Sequence, residues 1–452
     1  MLIDEPPIDP SSRTKDLWGT GNAPHGLVIS APSSGTGKTL MTLGIIGALR
    51  SQGLGVVAAK VGPDYIDPRF HEAASGHACV NLDSWAMSPE TVRGRLWAAS
   101  RDTQVAIVEG VMGLFDGAAG GGGSTAEVAE CLGLPVVLVV DASQQAQSIA
   151  AVVHGFCSFR PATNVAGVIA TKLGSKRHAS IIEAALRDSG ARYLGAVPND
   201  PQLSVQSRHL GLIQACEHGA MEELLSSVAR SISEHVDLEA LLDLAQPVSR
   251  EPSMARLQPL GQRIAIASDP AFAFAYPHLL GDWHANGAEL LFFSPLANEA
   301  PPSDCDAVFL PGGYPELHAG LLAAATMTRQ GLVELAGSDA LIYGECGGYM
   351  YLGEALVDAN GSSHAMSGLL SHVTSFAVRA RSLGYRQLRT LGPLPFGEQL
   401  RGHEFHYSTL QEPELELPLF DARDAAGAEL GKMGGARGNV MGSFAHVIDA
   451  VS

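Results

Sequence analysis

The chain is predicted to be α/β, built as two doubly wound, mostly parallel-sheet domains in tandem, and three observations carry that reading. Short β-branched runs alternate with amphipathic or Ala-rich stretches from Gly26 to about Val197, the pattern of a parallel sheet covered by helices on both faces. Residues 246–262 (QPVSREPSMARLQPLGQ) then bring three prolines, mixed charge and no sustained period, which suits a connector better than a core element. After them the alternation resumes. With 452 residues, the chain exceeds one ordinary core and accommodates two or three domains of roughly 100–200 residues each.

In the first domain the expected strands cover 27–30, 55–60, 105–109, 135–140 and 165–170, and 222–244 reads as one or two closing amphipathic helices. In the second, strands are expected at 263–267, 289–293, 307–310 and 340–343. The resulting division is a flexible leader 1–25, a first domain 26–245, a linker 246–262 and a second domain 263–452. The leader holds Asp4, Glu5 and three prolines at positions 6–10, unlike a signal or transit peptide. The glycine run 118–123 is expected to be a mobile loop.

Composition narrows the function classes. Hydrophobic residues make up 46% and charged residues 17%, enough apolar surface for packed cores and far from the composition of disorder. The balance of 29 basic against 47 acidic residues, net −18, argues against binding nucleic acid or anionic lipid and favours small-molecule partners. The six cysteines are scattered without a C-x-x-C pair, so neither a zinc site nor a disulfide framework is signalled, and the reduced thiols of a cytoplasmic protein are expected. The apolar stretch 134–140 falls well short of the roughly 20 residues of a membrane span.

Directly after the first expected strand comes Ala31-Pro32-Ser33-Ser34-Gly35-Thr36-Gly37-Lys38-Thr39, followed by an apolar helix. Glycines let backbone N–H groups and the helix N-terminus face an anion, which is how a strand–loop–helix holds polyphosphate. Gly35, Thr36 and Gly37 would cradle the phosphates of ATP, Lys38 would reach the β- and γ-phosphates, and the Thr39 hydroxyl would ligate Mg²⁺. Pro32 stands where the usual G-x-x-x-x-G-K-[ST] has its first glycine, so this is a variant loop, similar to that of the dethiobiotin synthetase-like branch. A Gly/Ser loop that only joins strand to helix is the plainer alternative.

Two further expected strands end in carboxylates. One runs into Lys60-Val61-Gly62-Pro63-Asp64-Tyr65-Ile66-Asp67-Pro68 and another into Glu109-Gly110. In an open α/β sheet both lie at the carboxyl edge beside the phosphate loop, where carboxylates hold Mg²⁺ against transferring phosphates. Asp64 and Glu109 are the leading metal candidates, with Asp67 close behind; a turn former at Pro63-Asp64 and a helix cap at Glu109 are the alternatives.

In the second domain an apolar run leads into Gly344-Glu345-Cys346-Gly347-Gly348 and then a helix. Glycines around a nucleophile permit the sharp strand-to-helix turn that exposes it. A thiol there needs a base, and His446 in Gly442-Ser443-Phe444-Ala445-His446 is the candidate. Gly312 and Gly313, in the loop Leu310-Pro311-Gly312-Gly313-Tyr314-Pro315-Glu316, could offer N–H groups to a tetrahedral oxyanion. An arbitrary buried cysteine is more often a small core hydrophobe; the glycines reverse that preference.

Taken in order, the phosphate loop, Val61–Pro68, Ser207-Arg208-His209-Leu210-Gly211-Leu212, Pro311–His318, Glu345–Gly348 and Gly402-His403-Glu404-Phe405-His406-Tyr407-Ser408 together resemble the cobyrinic acid a,c-diamide synthase family, from Gly26 to His446. What the resemblance implies is ATP- and glutamine-dependent amidation of the a and c acetate side chains of a corrin macrocycle, cobyrinic or hydrogenobyrinic acid, in cobalamin biosynthesis. On it, ATP phosphorylates a side-chain carboxylate in the first domain and ammonia released at Cys346 attacks the acyl phosphate. It also implies Asp64 and Glu109 around Mg²⁺, and Tyr65 and Asp67 at the entering carboxylate; Arg208 and His209 could meet the macrocycle's carboxylates, because a polyanionic substrate invites cations, although a surface ion pair accounts for Arg208 equally well. His403, Glu404 and His406 could steer glutamine, line an ammonia route or pack at the domain contact. The second domain is similar to class I glutamine amidotransferases, whose His-x-Glu would put an acid two residues after His446. Here that position is Ile448, leaving Cys346 and His446 as a dyad. A nickel sirohydrochlorin diamide synthase, a cobyric acid synthase-like enzyme and a non-catalytic partition-type switch are the rivals. A homodimer is allowed but indicated by no residue.

Overall fold

The computed structural model describes residues 23–200, 207–208, 211–212, 221–252, 257–411 and 417–451. The expected side-chain roles of Arg208 and His209 lie outside the described residues.

The first domain carries β1 (His25–Ser30), β2 (Val56–Val61), β3 (Val80–Leu82), β4 (Val105–Glu109), β5 (Val136–Asp141), β6 (Val165–Leu173) and β7 (Arg192–Pro198). They pair in parallel in the order β3-β2-β4-β1-β5-β6-β7. Neighbours along β1 point to opposite faces. Leu27 and Ile29 join the core on one side and Val28 the core on the other, which is why the strand reads as a continuous apolar run. The second of these cores passes without a break into the second domain through Leu257, Ile264, Trp283 and Tyr343.

Helix α1 (Lys38–Ser51) follows the phosphate loop, α2 (Asp67–Ser75) follows β2, and α3 (Pro89–Ser100) follows β3. The expected closing segment forms α4 (Met221–His235), packed on α1, and α5 (Leu238–Leu244). Asp237 caps α5 by accepting from Ala240 N at 2.9 Å.

Strand pairing reaches into the stretch expected as a linker. The stretch read as a linker opens with β8 (Gln246–Pro247), antiparallel to the start of β1. β5 meets β1 only from Val28 onward, so the edge at His25 and Gly26 is open to another partner. Val248 and Leu257 are buried. The glycine run forms a tight turn in which Ala118 N donates to Gly122 O at 2.8 Å and Gly121 N to Ala118 O at 2.9 Å. It packs against Trp85 and Tyr385.

The second domain begins with β9 (Arg263–Ala267), β10 (Glu289–Phe293), β11 (Ala307–Leu310) and β12 (Leu341–Glu345), with α6 (Pro277–Ala285) after β9 and α7 (Gly347–Leu352) after β12. Later come β13 (Ser382–Thr390), β14 (Gln399–His406), β15 (Phe420–Asp424), β16 (Glu429–Met433), β17 (Gly435–Arg437), β18 (Val440–Ser443) and β19 (Ala445–Ala450). The sheet β10-β9-β11-β12-β18-β17 is parallel except for β17. Beyond this predicted α/β core, β16-β15-β13-β14-β19 form an antiparallel sheet that alternation in the sequence did not announce. It supplies one wall of the site. Among the described residues, no helix is long and apolar enough to cross a membrane.

Candidate active sites

Two sites form, one per domain, and one cleft adjoins both. At the phosphate loop, Gly35 and Gly37 take positive φ of 79° and 96°, a conformation that turns the backbone toward an anion and that glycine adopts without strain. Lys38 folds back over the loop, its Nζ donating to Ser33 O at 3.1 Å and to Met112 O. Burial, with Lys60 nearby, lowers its ammonium to about 8. Lys38 is therefore poised to gain from a polyphosphate that restores a charge partner.

The Thr39 hydroxyl lies 3.2 Å from Asp67 Oδ2 and 3.0 Å from Glu109 Oε1. The same two oxygens receive Lys60 Nζ at 2.6 and 2.7 Å, and His71 Nε2 approaches the other oxygen of Glu109 at 2.8 Å. Burial alone would raise the Glu109 carboxyl, but Lys60 and His71 overcome it and hold it below the usual carboxylate range. Asp67 goes the other way, to about 6, because burial and the Asp64 charge outweigh Lys60.

Asp64 is differently employed. Its Oδ1 accepts from Ile66 N at 2.9 Å and Asp67 N at 3.0 Å, and Oδ2 stands 3.8 Å from Lys60 Nζ. It forms the turn that starts α2. The structure thus gathers Thr39, Asp67 and Glu109, with Asp64 at the rim, where the sequence favoured Asp64 over Asp67. Lys60 had read as one more strand residue.

These donors fit Mg²⁺ by their chemistry: a hydroxyl and two carboxylates, all hard oxygens, converge where Lys60 already places a cation. Among the described residues no group of three or more His, Cys, Asp or Glu could hold a metal unaided. One or two carboxylates completed by nucleotide phosphates is the usual arrangement for this ion.

In the second domain β12 delivers Cys346 at φ 47° and ψ −105°, a strained setting for a residue with a side chain and the mark of a nucleophile elbow. Cys346 N donates to Ser443 O at 2.8 Å, and Met350 N to Cys346 O at 2.9 Å as α7 begins. Gly312 is required by contact: a Cβ there would stand 2.3 Å from His446 Cε1, 2.8 Å from its Nε2 and 3.2 Å from Cys346 Cβ. The same small space thus adjoins the imidazole and the Cβ that carries the thiol, with the Cε1–Nε2 edge of His446 facing the loop. A Cβ on Gly347 would lie 3.0 Å from Gly313 N, which brings the Gly313 N–H beside the start of α7. Gly347's own backbone favours the thiolate. Gly313 N and Gly347 therefore lie together at the start of α7, and Gly312 is held to glycine by its contacts.

At rest the pair is neutral. Burial, reinforced by Glu316, pushes the Cys346 thiol well up, while burial with His403 and His406 lowers His446 to about 3. A thiolate thus has to form by proton transfer as a substrate binds. Glu345, which the sequence reading passed over, is almost wholly buried beside them, and burial raises its carboxyl to about 8.

In the Gly402–Ser408 motif, Glu404 accepts from Arg386 Nε at 2.7 Å and His406 Nε2 at 2.8 Å, and Ser408 Oγ meets His406 Nδ1 at 3.0 Å. This buried network satisfies itself and braces β14, which pairs His403 with His446 across the sheet. His403 itself faces the cleft.

The cleft, about 720 Å³, is lined from the first domain by Ser34, Asp64, Asp67 and Met112 and from the second by Tyr385, His403 and Phe405. Trp85 stacks on Tyr385 at 4.4 Å, and Tyr385 Oη donates to Asp83 at 2.9 Å. Phe405 lines the cleft, and its carbonyl lies 4.0 Å from Cys346 Sγ. Tyr65, expected at the substrate, does line the cleft, and its ring also packs 4.4 Å from His446 while its hydroxyl is bonded by Tyr276 at 2.9 Å.

Residues 27–212 match the CobQ/CobB/MinD/ParA nucleotide binding domain and residues 263–450 the CobB/CobQ-like glutamine amidotransferase domain. The hydrogenobyrinate a,c-diamide synthase of Brucella abortus biovar 1 (strain 9-941) is 51% identical over 431 residues, 94% of this chain and 98% of the relative. The chain belongs to the hydrogenobyrinate a,c-diamide synthase family. The family member of Rhizobium meliloti (strain 1021) is 50% identical over 425 residues, covering 94% of this chain and 99% of its own. Membership makes this a glutamine amidotransferase with a nucleotide-binding domain.

Proposed function

We propose that the chain amidates the a and c acetate carboxylates of hydrogenobyrinate, using ATP and glutamine, in cobalamin biosynthesis. The observation that carries this is one cleft that touches both sites: Asp67, bonded to Thr39, lines it, and so do Tyr65, whose ring packs 4.4 Å from His446, and Phe405, whose carbonyl lies 4.0 Å from Cys346 Sγ. A flat, largely apolar macrocycle with acidic arms suits walls of Met112, Tyr385 and Phe405. The names of the relatives favour hydrogenobyrinate over the cobalt-bearing acid.

In this reading Gly35, Thr36, Gly37 and Lys38 hold the triphosphate. Thr39, Asp67 and Glu109, with Asp64 at the rim, would hold Mg²⁺, which would draw charge from the transferring phosphoryl group. An acetate oxygen of the macrocycle takes the γ-phosphoryl group, leaving ADP and an acyl phosphate. In the other domain Cys346 Sγ bonds to the side-chain carbonyl carbon of glutamine as its proton passes to His446. Gly313 and Gly347 N–H groups receive the oxyanion. The C–N bond breaks, His446 protonates the leaving nitrogen, and water later cleaves the thioester to glutamate. Ammonia passes Phe405 and Tyr65 into the cleft, attacks the acyl carbon and expels phosphate.

The test supplies ATP, Mg²⁺ and hydrogenobyrinic acid with either glutamine or ammonium and follows product mass for wild type and Cys346→Ala. Diamide from both sources in wild type, and from ammonium only in the variant, is expected. No amide from either source, with cobyrinic acid offered in parallel, would refute the corrin assignment.

A further inference from the structure

A class I amidotransferase histidine is normally oriented by an acid two residues further along its strand, but here Ile448 fills that place and is buried. His446 cannot be left to itself. Among the described residues neither ring nitrogen meets full hydrogen-bond geometry with another group, although the Phe274 backbone favours the charged ring. A neutral imidazole with no fixed tautomer is a poor general base.

The nearest acid comes from another strand. Glu345 ends β12, and its Oε2 stands 3.7 Å from His446 Nδ1. Its other oxygen, Oε1, accepts from Tyr343 Oη at 3.0 Å and from Val447 N at 3.0 Å. These two bonds fix the plane of the carboxylate, and the second runs to the residue next to His446, so ring and carboxylate are locked to one another. Register explains the meeting. β12 pairs with β18 as far as Glu345 opposite Ser443; the chain then turns through Phe444, and β19 brings His446 back over Glu345. The ring's polarity is that of a triad, with Nε2 toward the loop beside Cys346 and Nδ1 toward the acid. A carboxyl this deeply buried is costly to keep, and nothing else in the two half-reactions uses it.

We propose that Glu345 is the positioning residue that replaces the missing triad acid, reaching His446 from the nucleophile's own strand. Its carboxylate holds His446 as the Nδ1–H tautomer, leaving Nε2 free to accept the Cys346 proton as Sγ bonds to the glutamine carbon. It then balances the imidazolium until that proton leaves with ammonia. The 3.7 Å gap is of the kind that tightens when charge develops. The alternative is that Glu345 only ties β12 to β19 through Val447.

The proposal rests on the glutamine-using reading above, and wild-type turnover with glutamine reports on that reading separately. Glu345→Gln decides between the two roles of Glu345. Glutamine keeps the Oε1 acceptor for Tyr343 and Val447, so the tie persists, but it turns an amide N–H₂ toward Nδ1 and cannot accept from it. Glutamine-dependent kcat should fall about 10²- to 10⁴-fold, with KM for glutamine within about threefold and ammonium-dependent amidation unchanged. In wild type the glutamine-dependent rate should also climb with pH toward a plateau above about 8, where the Glu345 carboxyl ionises, and the variant should lack that limb. The other groups facing this carboxyl are Tyr343, Tyr65, Tyr276, Cys346 and His446. The four other than His446 lie well above that pH, and His446 lies far below it at about 3. A variant that retains glutamine-dependent turnover within threefold of wild type, or that loses both nitrogen sources equally, overturns the proposal.

Discussion

Replacing Gly312 by alanine tests how tightly the loop packs against base and nucleophile. The added methyl would sit 2.3 Å from His446 Cε1 and 2.8 Å from Nε2, whereas ordinary contact begins at 3.4 Å. Gly312 is not among the residues with positive φ, so alanine meets no backbone penalty and the whole effect is steric. The ring must withdraw by about 1 Å, a displacement that at a reacting centre costs on the order of 10²-fold, about 2.7 kcal/mol of transition-state stabilisation. The assay is kcat/KM for diamide formation with glutamine, beside the same reaction fed by ammonium. The first should fall about a hundredfold while the second holds, because the phosphate-loop site is untouched. A variant with more than half the wild-type glutamine-dependent kcat/KM would refute the account of how Cys346 and His446 face each other.

Two other expectations concern the contact between domains. Arg95 in α3 and Asp282 in α6 form a buried bidentate pair at 3.2 and 3.0 Å, so Arg95→Ala, which strands the carboxylate, should cost about 3–5 kcal/mol in urea unfolding, while Arg95→Met with Asp282→Leu should recover most of it. A loss below about 1 kcal/mol for the single variant would contradict this. Tyr65→Ala removes the ring that covers His446 and borders Cys346, and should speed iodoacetamide alkylation of Cys346 at least about tenfold, since reactivity of a thiol follows access as well as ionisation; equal rates would mean that Tyr65 does not screen the thiol.

Much of this was legible in the sequence because the local backbone demands it. A phosphate loop needs Gly35 and Gly37 at positive φ, a nucleophile elbow needs small residues around Cys346, and parallel strands buried on both faces need unbroken apolar runs. All of these leave marks within a few residues. Hydrophobic spacing likewise carried β9, β10 and β11 at their observed limits. The antiparallel sheet from β13 to β19 was missed because strands exposed on one side carry mixed, partly charged sequence, as in SLGYRQLRT, which reads equally as loop.

The roles of individual polar residues divide along the same line. Lys38, Thr39, Glu109, Cys346 and His446 were singled out as candidates from the sequence, and the acid missing at Ile448 from the resemblance to class I amidotransferases. Only the tertiary structure decided that Asp67 joins Thr39 while Asp64 makes a turn, that Lys60 stands among the carboxylates, that Tyr65 from one domain covers the histidine of the other, and that Glu345 faces His446. The physical reason is distance along the chain. Glu345 and His446 are 101 positions apart by their numbers and meet because of strand pairing. Whether a buried carboxylate is a cap, a metal ligand or an orienting acid depends on which distant donor the fold sets within a few ångströms of it.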